Sequence, residues 1–387
     1  MRLGLSGHFL DQPTTGSGQY LANLLRELTP RWGGEIVVFV PTSRSTTAAA
    51  SALAPGSRVR VVPLATPPGA RLGKLWFEQV GIPWAARRLR LNLLHIPYLG
   101  PPLAAPCPLV VTVHDVMPLV LPELRAAPHA RVYAALAAAA ARRADLVLTV
   151  SYYARSDILR RLGLPPERVQ TIYEAAEERF RPLPPDEVRH ALHQRYRLEP
   201  GYVYYMGGLD RRKNVDTLIR AYARLEGAPP LVIAGQARSG NRAHFPDLPA
   251  VAREVGAAER VRFLGWVSEE DKPLLYNGAG LFVFPSRYEG FGLTPLEALA
   301  CGAPVLCSSA TSLPEVVGGA APLFDPDDTD GLARLLAQTL SDSALRARLR
   351  EAGPAWARRF SWARTATETV AAYYDLLFDH DEETFRA

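Results

Sequence analysis

Two glutamates stand eight positions apart around a glycine-rich turn, within the segment Phe284–Gly302 (FPSRYEGFGLTPLEALACG). Glu289 lies in the turn itself, where its carboxylate is free to project over a ligand. Glu297 lies about one helical turn into the following helix, where a carboxylate could accept hydrogen bonds from vicinal hydroxyls such as those of ribose. Each also has a structural interpretation: Glu297 could be a helix-capping partner only, and Glu289 an acid on a solvated loop.

The elements around these carboxylates predict a site for an anion. Leu281–Phe284 is an apolar run closed by proline, which is the pattern of a buried strand. Two glycines then allow a tight turn, and Thr294–Glu297 predicts a capping box with proline in the first helical position. The unpaired N–H groups of such a helix end favour a phosphate. The residues predicted to lie there are Gly290, Phe291, Gly292, Leu293 and Thr294.

A second phosphate site is predicted at Gly207–Asn214 (GGLDRRKN), which follows a strand and precedes an apolar helical face. Three cations, Arg211, Arg212 and Lys213, are predicted to crowd the first turn of that helix, where the helix dipole disfavours positive charge. A bound phosphate would remove this conflict. A solvated basic loop is the alternative, but the strand-to-helix placement, together with the glutamate motif, favours phosphate binding.

The glutamate segment resembles the Glu-x7-Glu signature of retaining nucleotide-sugar glycosyltransferases with the GT-B fold, specifically glycosyltransferase family four. The similarity continues from SRYEGFGLTPLEALACGAPV into SLPEVVGG and PLFDPDD, and weaker similarity covers nearly the whole chain. The resemblance implies an α/β fold of two Rossmann-like doubly wound domains facing a central cleft. It also implies that Glu289 contacts the donor sugar and that Glu297 holds the nucleotide ribose.

The basic loop resembles one branch of this family in particular. Arg212 and Lys213 match its Arg-Lys-Asn sequence, and that branch often uses GDP-mannose or deoxysugar donors for polysaccharide assembly. Many family members carry an arginine directly after the first glycine of this loop, where this chain has Gly208. That departure leaves Lys213, helped by Arg212, as the main cation expected at the diphosphate. The resemblance therefore gives a preference for a mannose or rhamnose donor.

Two glycine loops at strand ends carry further predictions. Thr15–Tyr20 (TGSGQY) follows the first strand and precedes a helix, and the resemblance implies that Gly16 and Gly18 lie near the donor phosphates and the acceptor. A dinucleotide-binding loop is the other interpretation, but the acidic residue expected at the end of the second strand is missing. Gly235 ends a later strand, and its loop is expected near the nucleotide base.

His114 ends a buried strand in the N-terminal half, where α/β sheets bind ligands. The resemblance implies a hydrogen bond from this histidine to the donor sugar, while the alternative is a structural histidine. Asp115 is expected to cap its loop rather than to act as a base, and Ser151 to cap a helix. Ser312 begins a second predicted capping box, which gives Glu315 a structural explanation.

A basic, aromatic stretch, Arg71–Phe77, is followed by the cluster Arg87–Arg90. This pattern suggests an acceptor-binding or membrane-facing surface. Solvated helix charge is the interpretation we favour, since helices usually keep their arginines outward.

Size and composition fit such an enzyme. A chain of 387 residues with 48% apolar residues can bury two cores, and its net charge of +5 suits anionic substrates or a membrane surface rather than nucleic acid. The sequence contains no uncharged apolar run of about 18 residues, so no transmembrane helix is expected. The first residues lack the apolar core of a signal peptide. The three cysteines lack metal-ligand spacing and are expected to be buried thiols of a reducing compartment. The expected location is the cytoplasm, where the chain could act at the inner face of the membrane.

The alternation of apolar runs with helical stretches predicts two doubly wound α/β domains with parallel sheets. Residues 1–180 are expected to form an acceptor domain and residues 181–360 a nucleotide-sugar domain, with a proline-rich hinge at Arg181–Pro185. Residues 361–387 are expected to form a capped amphipathic helix, which the resemblance implies crosses back to the first domain.

The predicted function is transfer of a sugar, with retention, from a nucleoside diphosphate sugar to a hydroxyl of a glycan or lipid-linked acceptor. Glu289, His114, Lys213 and Arg212 are the predicted catalytic residues. No metal or other cofactor is expected, because cations and N–H dipoles can stabilise the leaving diphosphate and no Asp-x-Asp pair lies in a credible loop. A GT-B nucleotide-sugar epimerase and a non-catalytic nucleotide-sugar- or glycan-binding subunit remain as alternatives. Partners are the donor and acceptor, with a possible peripheral membrane contact and no nucleic acid.

Overall fold

The computed structural model of the chain describes residues 1–42, 58–121, 128–236 and 244–386, with side chains described as far as Phe378. The chain divides into two compact units, one formed by Met1–Glu174 with Trp362–Ala387 and the other by Ala175–Ser361. Each unit contains a parallel sheet with helices between its strands. The predicted α/β class with two doubly wound domains is therefore confirmed.

The sheet of the first unit is wound outwards from its first strand. Among the described residues its order is β3-β2-β1-β4-β5-β6-β7, and neighbouring strands are parallel. The direction of winding reverses between β1 and β4, and the strand ends at such a switch point are where α/β sheets bind ligands. The strands are β1 (Arg2–Ser6), β2 (Glu35–Pro41), β3 (Val59–Leu64), β4 (Leu93–Ile96), β5 (Leu109–Thr112), β6 (Leu146–Thr149) and β7 (Val169–Thr171).

Helices cover this sheet, and the C-terminal helix belongs to the same unit. Trp32 stacks on Tyr374 of that helix with ring centroids 5.3 Å apart, and Thr365 donates a hydrogen bond to the Tyr173 carbonyl at 2.6 Å. The helices are Gly16–Leu28, Ala70–Trp76, Ile82–Leu89, Met117–Val120, Pro128–Ala141, Tyr152–Leu162 and Trp362–Arg386.

The second unit repeats the design on a smaller sheet. Its order among the described residues is β10-β9-β8-β11-β12-β13, all parallel, with the switch point between β8 and β11. The strands are β8 (Tyr202–Met206), β9 (Leu231–Ala234), β10 (Val261–Gly265), β11 (Ala279–Phe284), β12 (Val305–Ser308) and β13 (Leu323–Phe324). The helices are Pro185–Tyr196, Val215–Ala223, Leu248–Glu254, Lys272–Gly278, Leu293–Ala300, Leu313–Val317, Thr329–Ser341 and Ser343–Ala357.

One helical segment of the first unit is irregular. It begins at Ala70, is interrupted by a five-residue π turn, Phe77–Gly81, and continues as Ile82–Leu89. The proline-rich segment predicted as a hinge is tied to the second unit: the Leu183 N–H donates to the Asn277 side chain at 2.8 Å, and that amide donates to the Arg181 carbonyl at 3.0 Å.

Within the described residues, no helix combines the length and the apolar character needed to cross a membrane. Cys301 and Cys307 are buried thiols as predicted, whereas Cys107 is only half-buried.

Candidate active site

Glu289 of the second unit is surrounded by the predicted cations. One of its carboxylate oxygens lies 2.6 Å from the Lys213 ammonium and 3.1 Å from the Arg212 guanidinium. The side chains of all three residues are mostly buried, with 13% of Glu289 and 12% of Lys213 exposed. These groups come from loops that follow β11 and β8, which are neighbouring strands, so the carboxyl ends at the switch point bring them together.

Three hydroxyls hold the Glu289 loop in place. Ser286 donates to the same Glu289 carboxylate oxygen at 2.5 Å, and the Glu289 N–H donates to Thr311 at 3.0 Å. Ser312 donates to the carbonyls of Glu289 and Phe291, at 3.0 and 2.5 Å. The Glu289 carboxylate and backbone therefore have a fixed position before any ligand binds.

The charges in this cluster shift one another's titration. Burial raises the pKa of Glu289, but the charges of Lys213 and Arg212 outweigh it, so the pKa is lowered. Burial has the opposite effect on Lys213 and lowers its pKa. The negative charge of Glu289 offsets only part of this shift, so the pKa of Lys213 remains lowered. Glu289 is therefore ionised at neutral pH, and the cluster has a buried negative charge facing two cations.

The cations do not lie in the first turn of a helix as predicted. Arg211–Lys213 forms a 3-10 turn, and the helix Val215–Ala223 starts only after Asn214, which adopts a left-handed conformation with φ 58°. The predicted conflict with that helix dipole is thus absent, and Arg212 and Lys213 are held by the acids around them. Arg212 contacts Asp210 at 3.4 Å and donates to the Tyr288 carbonyl at 2.8 Å.

The glycines beside the cations permit close backbone approach. Gly208 is exposed, and a Cβ placed on it would lie 3.7 Å from Lys213 side-chain carbons. Gly235 has φ 155°, and a Cβ there would meet the Gly207 carbonyl at 2.2 Å, so only glycine fits. The loop beyond Gly235 that was predicted near the nucleotide base lies in residues 237–243, outside the described residues.

The turn before the next helix differs from the predicted capping box. The helix begins at Leu293, so Thr294 is its second residue and Pro295 its third. The cap is Gly292, with φ 127° and no side-chain cap hydrogen bond. The predicted capping box is therefore wrong, because the glycine conformation lets the helix start earlier. Gly290 and Phe291 precede this helix and are buried, and the Phe291 ring packs edge-on against Phe360.

Glu297 has a different partner from the one that capping would require. It is 4% exposed, and its carboxylate accepts a hydrogen bond from the Tyr276 hydroxyl at 3.0 Å. Burial raises the pKa of Glu297 to about 7, an effect that the charge of Lys272 reduces. A carboxyl with this pKa keeps its proton at mildly acidic pH and releases it as the pH rises through neutrality.

The glycine loop of the first unit forms the first turn of a helix rather than preceding it. The helix starts at Gly16, and Thr15 caps it by accepting a hydrogen bond from the Gly18 N–H at 3.2 Å. Gly16 has open space around it, whereas a Cβ on Gly18 would meet the Gln12 carbonyl at 2.0 Å. Gly16 therefore lies where a ligand could approach, and Gly18 is required by packing.

Both ring nitrogens of His114 have partners within the first unit. Nδ1 lies 2.9 Å from the Glu174 carboxylate and Nε2 lies 3.2 Å from the Pro97 carbonyl. Burial lowers the pKa of His114, but the hydrogen bond and charge of Glu174 outweigh it and the pKa is raised. Tyr20 packs edge-on against this ring at 4.7 Å. The hydrogen bond from His114 to a donor sugar stays a prediction.

The minor predictions have mixed outcomes. Asp115 accepts a hydrogen bond from the Met117 N–H at 2.8 Å, and Ser151 accepts one from the Ala154 N–H at 3.0 Å, so both capping roles are confirmed. The box predicted at Ser312 and Glu315 is wrong, because Ser312 makes no side-chain cap hydrogen bond to its helix.

The basic stretch of the first unit is only partly solvated. Arg87 and Arg88 are exposed, as expected for solvated helix charge. Lys74 instead donates a hydrogen bond to the Tyr133 hydroxyl at 2.7 Å and lies 4.5 Å from the centre of that ring. The π turn places Glu78 in the same cluster, 3.5 Å from the Lys74 ammonium.

Sequence reasoning missed several of the residues that shape these sites. Ser286 could have been noticed, because it lies three positions before Glu289 in the same loop. Thr311, whose φ is 54°, and Tyr276 are distant in sequence, and no local pattern marks them. The same holds for Glu174, the partner of His114.

Comparisons with known proteins identify the class. Residues 190–356 match the family described as "Glycosyl transferases group 1", and residues 14–177 match "Glycosyltransferase Family 4". The chain is 38% identical over 299 residues to the "O-antigen chain mannosyltransferase B" of Escherichia coli, an alignment that covers 75% of this chain and 76% of that protein. It is 32% identical over 280 residues to the "Serotype-specific mannosyltransferase WbdA" of Escherichia coli, covering 70% of this chain and 34% of that longer protein.

A solved structure has the same fold over nearly the full length. The chain superposes on Anabaena Alr3699/HepE, solved in complex with UDP-glucose, with a TM-score of 0.78 and 20% sequence identity, covering 97% of this chain and 100% of that one. The chain belongs to glycosyltransferase family four and has the two-domain GT-B fold. It is a glycosyltransferase.

Proposed function

We propose that this enzyme transfers mannose from GDP-mannose, with retention of configuration, to a hydroxyl of a glycan or lipid-linked glycan. The mannosyltransferase names of these two relatives favour mannose over the rhamnose alternative, and the O-antigen chain named for one of them supports a role in polysaccharide assembly. The complex of Anabaena Alr3699/HepE with UDP-glucose supports a nucleoside diphosphate sugar as the donor class.

The observation that carries the proposal is the buried cluster of Glu289, Lys213 and Arg212, with its oxygen-to-nitrogen distances of 2.6 and 3.1 Å. A carboxylate beside two cations offers acceptors for sugar hydroxyls and positive charge for a diphosphate in one place. In the described cluster, the single negative charge of Glu289 interacts with both cations. A bound diphosphate would take over part of that interaction, which would let the carboxylate turn towards the sugar.

The two cations have different parts in this proposal. Arg212 is already bound to Asp210, Glu289 and the Tyr288 carbonyl, so it serves mainly to hold the loop. Lys213 has an ammonium group with three donors and lies beside the exposed Gly208, so it is the main ligand for the diphosphate. The N–H groups at the start of the helix Leu293–Ala300 add dipoles that favour the same anion.

The chemical step needs positive charge at the leaving group. The bond between the anomeric carbon and the diphosphate oxygen breaks, and a bond to the acceptor oxygen forms on the same face of the sugar. The acceptor hydroxyl passes its proton to the departing phosphate. Lys213 and the helix N–H groups stabilise the developing charge, so no metal ion is required. Glu289 positions the donor sugar, and Glu297 holds the ribose.

A peripheral membrane contact would suit a lipid-linked acceptor. Leu72, Val80 and Trp84 are 66%, 49% and 58% exposed along one helical segment of the first unit, and the Arg88 guanidinium lies 5.3 Å from the Trp84 ring centre. Apolar side chains flanked by arginines are typical of surfaces that bind anionic lipid headgroups. We therefore propose that Leu72, Val80 and Trp84 contact the membrane surface.

A donor screen tests the function. The purified chain is incubated without acceptor with UDP-, GDP-, ADP- and dTDP-sugars, and slow hydrolysis is followed by release of the nucleoside diphosphate. GDP-mannose should be hydrolysed fastest, and NMR should detect α-mannose as the first product. Faster hydrolysis of another donor would refute the assignment of GDP-mannose, and an initial β-anomer would refute retention.

A further inference from the structure

A buried hydrogen-bond network crosses the first unit, from the C-terminal helix to the helix Gly16–Leu28. The Tyr373 hydroxyl lies 2.5 Å from Nδ1 of His95, and Nε2 of His95 lies 2.8 Å from the Thr112 hydroxyl. The Thr112 hydroxyl in turn lies 3.2 Å from the Tyr20 hydroxyl. These four side chains belong to two helices and to the strands β4 and β5, so the network joins elements that are distant in sequence.

Packing alone does not require polar groups at these positions. All four side chains are at most 2% exposed, and apolar side chains of similar shape could fill the same space at little or no cost in stability. Burial lowers the pKa of His95 to about 3, and the charge of His114 adds to this effect. His95 is therefore neutral near pH 7, so one of its ring nitrogens donates a hydrogen bond and the other accepts one. A buried network that is satisfied in this way makes the surrounding structure rigid.

Tyr20 connects the network to His114. The two rings pack edge-on with centroids 4.7 Å apart and an interplanar angle of 86°, a favourable geometry for aromatic pairs. Nδ1 of His114 lies 2.9 Å from the Glu174 carboxylate, whereas the contact of Nε2 with the Pro97 carbonyl is longer, at 3.2 Å. A single short hydrogen bond lets an imidazole tilt about it, so a packed ring is needed to fix the plane. Tyr20 supplies that ring, and Thr112 fixes its hydroxyl.

The C-terminal helix contacts Tyr20 in two ways. Trp362, its first residue, packs against the Tyr20 ring with centroids 5.9 Å apart, and Tyr373 reaches the Tyr20 hydroxyl through the network. Tyr20 itself lies about one turn into the helix that begins at Gly16, the glycine with open space around it. The C-terminal helix therefore supports the tyrosine that lies between this glycine and His114.

We propose that Tyr20, Thr112, His95 and Tyr373 are positioning residues for His114, through which the C-terminal helix fixes the plane of the imidazole ring. The inference rests on the proposed function and on the hydrogen bond predicted from His114 to the donor sugar. A ring that is already held in the required plane can donate this bond without reorganisation, whereas a tilting ring must first be ordered. Loss of the network should therefore slow the reaction of the donor while its nucleotide part binds as before.

A pair of neighbouring tyrosines on the C-terminal helix tests the far end of the network. Tyr373→Phe removes only the hydroxyl, and we expect kcat for acceptor-free hydrolysis of GDP-mannose to fall about three- to tenfold, with the Kd of GDP unchanged within about twofold. Tyr374 is the matched control, because it is half-buried and stacks on Trp32. Tyr374→Phe should match the native enzyme in both measurements. Native-like hydrolysis by Tyr373→Phe, or an equal weakening of GDP binding, would overturn the proposal.

NMR titration of His114 distinguishes positioning from general destabilisation. The charges of Glu174 and Asp115 raise the pKa of His114 against the effect of burial, and the other titratable groups beside its ring are His95 and Tyr20. A looser Tyr20 ring would admit water and weaken the interaction with Glu174. The pKa of His114 should therefore fall towards its ordinary value of 6.5 in Tyr20→Leu, and by less in Tyr373→Phe. His114→Gln assigns the resonances, and an unchanged pKa in Tyr20→Leu would refute the role of the tyrosine.

A double variant tests whether the two ends of the network act through each other. Tyr20→Phe keeps the ring but breaks its hydrogen bond to Thr112, so adding Tyr373→Phe should cause no further loss of hydrolysis. Losses that multiply would mean that the two hydroxyls act independently, which would refute the network. If another donor is preferred in the screen, the kinetic comparison is made with that donor. The two proposals fail separately, because the pKa of His114 is measured without substrate. The expected pKa shifts without hydrolysis of GDP-mannose by the native chain would refute the donor assignment alone.

Discussion

The Lys213 ammonium and the Glu289 carboxylate, 76 residues apart in the chain, form a buried ion pair 2.6 Å long. A buried pair contributes little net stability, because desolvation of both charges offsets much of their attraction. In the proposed function, its position at the switch point of a GT-B domain gives this pair a role in catalysis. A carboxylate that holds a cation in place before substrate arrives keeps that cation desolvated and oriented, so less reorganisation is needed when a diphosphate leaves.

Removing the charge of Glu289 should impair turnover more than donor binding. Glu289→Gln keeps the size of the side chain but cannot neutralise Lys213, so we expect a fall in kcat of roughly 10²-fold or more, with a much smaller change in donor affinity. Transfer kinetics and nucleotide-sugar titration measure the two effects separately. Glu226→Gln, an exposed position, serves as the control and should behave like the native enzyme. Near-normal turnover in Glu289→Gln would show that the role assigned to it is wrong.

Lys213 should dominate binding of the diphosphate. Lys213→Ala is expected to weaken GDP binding at least about tenfold, because a charge-assisted hydrogen bond in a mostly buried site is lost. Arg211→Ala is a matched control, since Arg211 is the exposed cation two positions earlier. The thermal stabilisation produced by GDP should fall in Lys213→Ala and persist in Arg211→Ala. If both variants lose it equally, general positive charge rather than Lys213 holds the anion.

The chemistry of this site could be predicted from the sequence, but its contacts could not. Glu289 was recognisable because it lies in a glycine-containing turn after an apolar run closed by proline. Arg212 and Lys213 were recognisable because they follow an apolar run that ends in two glycines. The short distance between Lys213 and Glu289 follows from the adjacency of β8 and β11, which depends on sheet order rather than on any local pattern.

Local rules failed where backbone conformation or long-range packing decided the outcome. The capping box at Thr294 was wrong because Gly292, with φ 127°, starts the helix two residues earlier. Lys74 looked like a solvated helix charge because its partner Tyr133 is 59 residues away. The strands β7 and β13, of three and two residues, are too short for their apolar pattern to be distinguished from a loop.

Activity should persist in a chelator. The proposed stabilisation of the leaving group comes from Lys213 and helix N–H groups, so an excess of EDTA should leave transfer from GDP-mannose nearly unchanged. Rates with EDTA, with added Mg²⁺ and with added Mn²⁺ should agree within about twofold. A loss of activity in EDTA that a divalent ion restores would contradict the metal-independent mechanism.

Glu297 should make the protein less stable as the pH rises. Burial raises the pKa of Glu297 from 4.5 to about 7. The folded protein therefore keeps a proton that the unfolded chain releases, and stability is lost as the pH rises through this interval, by at most about 3 kcal/mol. Glu297→Gln removes the titrating group while its carbonyl can still accept the Tyr276 hydrogen bond.

The thermal midpoint of Glu297→Gln should match the native value at about pH 5 and exceed it by a few degrees at about pH 8. Glu226→Gln should keep the native pH dependence. The same midpoint difference at both pH values would mean that Glu297 does not titrate in this range. If Glu297 also holds the ribose, Glu297→Gln should raise the KM for the donor despite its greater stability.

The exposed apolar residues of the first unit should bind anionic membranes. Trp84, 58% exposed beside Arg88, is expected to insert into the headgroup region, so Trp84→Ala should reduce co-sedimentation with phosphatidylglycerol vesicles. Trp266 is the matched control, because it is equally prominent at 61% exposed but belongs to the second unit. Trp266→Ala should bind vesicles like the native chain. High salt should weaken vesicle binding by the native chain and by Trp266→Ala, since arginines supply part of the attraction. Equal binding of the native chain to neutral and anionic vesicles would contradict the electrostatic part of the proposal. If Trp84→Ala and Trp266→Ala bind vesicles equally well, the membrane contact does not lie at Trp84.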